Sequence, residues 1–177
     1  MPVLPPEVRA LLAGQPDDSA WEPVAHLLTT DDDGFPRVCL LSRAELTAGE
    51  PTADEPTADE LAAGADTVSC VVRARHTIAN LRRTGQGLLA VAGGEAAYYV
   101  RLRVLATLAE AEAEAEAEGR RLAATFAVVA VEQDTLGVPL RPMTFRTSAA
   151  LRSYERWDEN RALLERVAAM AADDGTE

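Results

Sequence analysis

The chain has 177 residues, a formal net charge of −12 and a 47% share of hydrophobic residues, with only 5% aromatic. That length suits one domain, which usually runs to about 100–200 residues. The acidity argues against nucleic acid, whose partners normally show a basic face, and against an anionic membrane surface. No stretch reaches the roughly 20 apolar residues needed to cross a bilayer. The N-terminal run from Met1 to Gly14 carries Glu7 and Arg9 among its apolar residues and lacks a secretory core. Cys39 and Cys70 cannot build a disulfide framework, and with only His26 and His76 beside them no metal site is expected. A reducing, cytoplasmic location follows as an expectation.

Pro5 and Pro6 followed by Glu7–Ala13 predict a short opening helix. Val24–Thr30 and Arg37–Ser42 are aliphatic runs separated by Asp31-Asp-Asp-Gly34 and Pro36. Asp-Gly between two such runs predicts an antiparallel hairpin, because glycine accepts positive φ without penalty. Residues 49–60 hold a tandem Pro-Thr-Ala-Asp-Glu repeat. Proline and acid cannot form a core, so this segment is expected to be an exposed, mobile loop.

Asp66–Val72 predicts a third strand and His76–Arg83 a short helix that buries Thr77, Ile78 and Leu81. Leu88–Ala92 and Ala96–Leu105 predict two further strands joined at Gly93-Gly94. In the second of these, Tyr99, Arg101 and Arg103 share one face and Tyr98, Val100, Leu102 and Val104 the other. That alternation suits a barrel wall. Ala109–Ala124 is rich in alanine and glutamate and predicts a solvated helical connector. Thr125–Val131 reads as a sixth strand and Val138–Arg146 as a seventh. Ser148 is placed to cap a last helix over 149–172, with Leu151, Tyr154, Leu163, Leu164 and Val167 as its apolar positions. The order lacks βαβ alternation, which predicts one mainly β (α+β) domain over 1–177 with antiparallel strands and short peripheral helices.

Gly-x-Gly-x-x-Gly, Walker, Gly-x-Ser-x-Gly and His-Glu-x-x-His signatures are all absent. What remains is a series of short motifs in order: Asp33-Gly-Phe-Pro36, Arg37–Ser42, Val68–Val72, Arg73–Thr77, Asn80-Leu-Arg82 and Tyr99-Val-Arg101. From Val24 to Leu105 this series resembles the pyridoxamine-phosphate-oxidase-like family of FMN-binding split barrels. The resemblance implies a split β-barrel, a homodimer with the flavin at its interface, and an FMN-dependent oxidoreductase acting on a small molecule.

Carried onto this chain, the family's Arg-x-x-x-Leu-Lys strand falls on Arg37, Leu41 and Ser42, so serine stands where the family has lysine. Its Arg-Lys pair before the helix falls on His76 and Thr77, and Arg73 and Arg75 lie close enough to substitute. A guanidinium fork suits phosphate better than a hydroxyl does. The first turn of the helix would add amide donors and a favourable dipole. The ring system would lie along the backbone of Val38, Cys39 and Leu40 and of Cys70 and Val71. Taken alone, Arg37 reads as a solvated edge arginine, both cysteines as buried and inert, and His76 as a helix opener. No residue announces itself as a catalytic acid or base. Two other readings stand beside the first: a cofactor-free barrel with a binding or structural role, and a barrel holding a deazaflavin or haem.

Overall fold

The computed structural model describes residues 3–13, 21–49, 66–93, 95–111, 120–141, 144–146 and 156–173. Helix α1 (Pro6–Ala13) precedes strands β1 (Trp21–Pro23), β2 (Ala25–Thr30) and β3 (Pro36–Leu41). A 3₁₀ turn over Arg43–Glu45 leads into β4 (Leu46–Gly49), followed by β5 (Thr67–Val72) and α2 (Arg75–Thr84). The chain then forms β6 (Gln86–Gly93), β7 (Ala96–Ala111), β8 (Arg120–Asp134), β9 (Thr144–Arg146) and α3 (Trp157–Asp173).

Seven strands make one sheet in the order β3-β2-β6-β7-β8-β5-β4, every described pairing in it antiparallel. The sheet curls into a half-barrel, the mainly β split-barrel architecture expected from the sequence. The interior holds Leu27, Leu41, Val68, Cys70, Leu89, Val100, Leu122 and Phe126. Leu4, just before helix α1, and Val8 and Leu12 of the helix add to that core. A second cluster lies outside the sheet, where Leu163, Leu164 and Val167 of α3 cover Val71, Ala106 and Ala123.

The Asp-Gly hairpin forms with Leu28 opposite Val38 and Thr30 opposite Pro36. Gly34 takes the positive φ of 86° that its place in the turn requires. Thr77, Ile78 and Leu81 are buried as their spacing predicts. The two faces of β7 separate as read: Tyr98, Val100 and Leu102 are buried, and Arg101 and Arg103 are exposed.

The alanine- and glutamate-rich connector departs from expectation. Residues 109–111 extend β7 and 120–124 open β8, paired from Ala109–Leu122 to Ala111–Arg120. Tertiary burial overrides helix propensity here, because Leu122 and Ala124 fill the barrel while Ala123 meets α3. The expected seventh strand shrinks to β9, and it pairs with β1 outside the main sheet. In residues 138–141 the chain is irregular. Gly49 ends β4, whereas the rest of the duplicated acidic segment lies outside the described residues, as do Ser148, Leu151 and Tyr154. Among the described residues no helix is long and apolar enough to cross a membrane.

Candidate functional site

The turn between β2 and β3 is organised by one carboxylate. Asp31 accepts hydrogen bonds from the amides of Phe35 (2.8 Å) and Asp33 (3.1 Å), an Asx turn, and from Arg37 Nε at 2.9 Å. The Phe35 amide holds the Asp31 carboxyl below its ordinary pKa, opposed by burial and helped by Arg37. Arg37 is thus already paired with an acid at the hairpin tip.

Helix α2 packs on β2 and β3. Asn80 anchors it, donating from Nδ2 to Thr29 Oγ1 at 3.0 Å in a buried contact. Its last turn meets the hairpin: Arg83 pairs with Asp32 at 2.7 Å and donates to the Thr30 carbonyl. Gly85 closes the helix in the left-handed conformation, φ 63°. The first turn lies at the opposite end. Ala74 is the N-cap, and no side chain caps the amides that follow. Arg73, Arg75 and His76 are exposed there. Ten helical residues span roughly 15 Å, so Arg37 and Arg75 stand at opposite ends of α2 rather than converging on one point.

Between those ends, three predicted residues do meet. Thr77 is buried beside the Cys39 thiol, and Cys39 lies near Cys70 and Glu45. Burial pushes the Cys39 thiol up, the Glu45 charge pushes it further, and Thr77 opposes both. Cys70 is raised much more, again chiefly by burial. Ser42 donates its amide (3.1 Å) and its hydroxyl (3.4 Å) to Glu45 Oε2 in a capping box that opens the 3₁₀ turn. Glu45 was not singled out in the sequence, although Ser42-Arg-Ala-Glu45 carries that capping pattern.

A phosphate group fits some of these residues and not others. The entrance of α2 offers uncapped amides with the exposed Arg75 and His76, which suits an oxyanion. Ser42 and Arg37 are committed to Glu45 and Asp31, and Thr77 is 2% exposed. A planar ring fits β3, an edge strand whose Val38 and Leu40 are exposed. Cys70 is enclosed by the barrel core and Val71 by α3, while β5 itself is flanked by β4 and β8.

A groove of about 590 Å³ opens elsewhere, on the outer face of β2, β6 and β7 beside the last turn of α2. Leu28, Leu88 and Leu102 lie among its apolar lining, with Thr84, Gln86, Arg101 and Arg103 among its polar groups. Among the described residues, no three of His, Cys, Asp and Glu are grouped so as to hold a metal ion.

Neither a family model nor a curated protein matches the sequence. Solved structures are similar at low identity. An F420 reductase is similar over 72% of this chain and 98% of its own, with 14% identity and a TM-score of 0.45. The styrene monooxygenase flavin reductase SMOB from Pseudomonas putida S12 covers 78% of this chain and 90% of its own, at 11% identity and TM-score 0.46. A Clostridium acetobutylicum protein of the pyridoxinephosphate oxidase family, related to general stress protein 26 of B. subtilis, covers 70% and 85%, at 11% identity and TM-score 0.41. These are likenesses in chain path, and no residue's role is carried over from them.

The two thiols are expected to differ in reactivity. Thiolate is the nucleophile, so a raised pKa and burial both slow attack. In native protein at pH 8, a disulfide reagent should label Cys39 slowly and leave Cys70 untouched, both reacting at once in denaturant. Rapid release of two equivalents from native protein would contradict this arrangement of β3, β5 and α2.

Proposed function

We propose that this chain is an FMN-binding split-barrel protein that serves as a flavin-dependent oxidoreductase, working as a cytoplasmic homodimer. The observation that carries the reading is the juxtaposition of two features. An uncapped helix entrance with exposed Arg75 and His76 lies beside an edge strand presenting exposed Val38 and Leu40. One suits a phosphate and the other an apolar ring.

When bound, the flavin supplies the hydride or electron chemistry. The chain's own contribution is binding and orientation. The amides opening α2, Arg75 and His76 would hold the phosphate. Val38 and Leu40 would shield one side of the ring, and a second copy of the chain would cover the remaining apolar edge and exclude water. Substrate identity lies with residues that the partner would bring to that edge.

The proposal is tested by titrating FMN and riboflavin against the parent protein and Arg75→Ala, following flavin fluorescence. The phosphate brings close to two negative charges to a protein of net charge −12, so its local partners must outweigh a general repulsion. FMN should bind the parent well above riboflavin. Arg75→Ala should weaken FMN roughly ten- to a hundredfold, through loss of one charge-assisted hydrogen bond, and leave riboflavin nearly unchanged. Equal affinity of the parent for both ligands would refute a phosphate site. A cofactor-free barrel is the second reading, favoured by the commitment of Ser42, which stands where the family places a lysine, to the Glu45 carboxylate. Failure of both ligands to bind would select it, whereas bound deazaflavin or haem would show in the absorbance spectrum.

A further inference from the structure

We infer that the outer groove of β2, β6 and β7 is a binding site for a small organic anion with an apolar body. The groove lies by the last turn of α2, the end opposite the proposed phosphate site, and does not depend on the flavin reading. Its volume, about 590 Å³, falls within the roughly 300–1,000 Å³ of small-molecule sites.

Three observations converge on this ligand chemistry. First, the lining joins an apolar floor, Leu28 and Leu88 from neighbouring strands, to a polar wall of Gln86, Arg101 and Arg103. Second, that wall is cationic in a strongly acidic protein. Arg101 and Arg103 stand two residues apart on one face of β7, where like charges repel. Arg101 is paired with Glu132 at 2.5 Å, but Arg103 forms no ion pair among the described residues. Its guanidinium retains a full fork of donors for a carboxylate or phosphate. Third, the ladder is broken at this point. Arg101 lies opposite Ala130 and Leu102 opposite Val128, so Val129 is an extra residue in β8. A bulge re-aims a side chain. Here Val129 joins the groove lining at 44% exposure instead of packing in the sheet. The groove therefore has an apolar floor on β2 and β6, flanked on β7 and β8 by an available cation and an apolar wedge.

The test uses the full chain and three probes: 3-phenylpropionate, phenyl phosphate and the neutral 3-phenylpropanol, titrated by calorimetry. Both anions should bind at least about tenfold more tightly than the alcohol, and their ratio reports whether a carboxylate or a phosphate ester is the better fit. Arg103→Gln, a change at an exposed position, should reduce anion affinity by about tenfold or more and leave the alcohol unaffected. Val129→Trp, which fills the groove, should abolish binding of all three without lowering the melting temperature. The inference is overturned by equal binding of acid and alcohol, by indifference to Arg103→Gln, or by the absence of binding at millimolar probe. It is likewise overturned as a separate site if FMN competes with phenylpropionate. Loss of FMN binding in Arg75→Ala with the groove unchanged supports two sites, and groove binding in a protein that takes no FMN sinks the flavin reading alone.

Discussion

Asp66→Ala is expected to lower stability by about 3 kcal/mol, at the lower end of the cost of breaking a buried pair. Asp66 is 1% exposed and precedes β5. Its Oδ2 accepts the Leu4 amide at 2.5 Å and Arg9 Nη2 at 2.6 Å, so one carboxylate oxygen fastens both the approach to α1 and the helix itself. Arg9 also donates to the Gly49 carbonyl at 3.1 Å, tying α1 to the end of β4. Removing the carboxylate leaves the Leu4 amide buried without its acceptor, at a desolvation cost of about 1–3 kcal/mol. Arg9, a quarter exposed, can turn to water and so limits the loss. In a chain of this size the melting temperature should fall by roughly 6–12 °C. Arg9→Ala should cost less, because Asp66 keeps the Leu4 amide. A melting temperature unchanged in Asp66→Ala would show that α1 is held by Leu4, Val8 and Leu12 alone.

The parts of the fold that are legible in the sequence are those fixed by local chemistry. Asp33-Gly34 announces the hairpin because only a residue tolerant of positive φ closes it, and Gly34 does so. Thr77, Ile78 and Leu81 announce a helix face, and alternation from Tyr98 to Val104 announces a wall. What is not legible depends on distant partners. Residues 120–124 read as helix because alanine and glutamate favour it, yet Leu122, Ala123 and Ala124 are pinned between the core on one side and α3 on the other. Alanine there is a packing choice, small enough to let Leu163 and Val167 approach the sheet. Pairing of Trp21–Pro23 with Thr144–Arg146 has no local signal at all.

The site shows the same division. Arg75 and His76 are found at the helix entrance because helix position can be read from periodicity. The commitments of Arg37 to Asp31 and of Ser42 to Glu45 were both within six residues, and turn chemistry could have exposed them. The meeting of Cys39 with Thr77 and Cys70 could not have been seen, since it exists only after the sheet curls and brings α2 back over β3. Family likeness in the order of motifs pointed to β3 and β5, and the burial of Cys70 and Val71 has no local signal, because it depends on the barrel core and on α3.

Phe126→Ala is expected to cost about 3–5 kcal/mol, the range for deleting a buried aromatic side chain. Phe126 is 0% exposed and one of the largest fully enclosed side chains in the barrel. It sits on β8 opposite Val68 on one side and Val104 on the other. Three strands therefore share one ring, and β8 joins the β7 side of the sheet to the β5–β4 side. The cost has two parts: apolar area lost from burial, and a cavity whose walls relax only partly because strands hydrogen-bonded on both edges cannot close inward. Phe126→Leu keeps most of the volume and should cost under about 1.5 kcal/mol. Urea denaturation of the three proteins measures this, with the midpoint falling from the parent to Phe126→Leu to Phe126→Ala and the slope unchanged if the denatured state is unaltered. The folded fraction of Phe126→Ala should keep its ligand affinity, because the entrance of α2 and the edge of β3 make no use of this ring. A loss below about 1 kcal/mol would mean that the sheet collapses onto the gap, and that the barrel is not packed around Phe126.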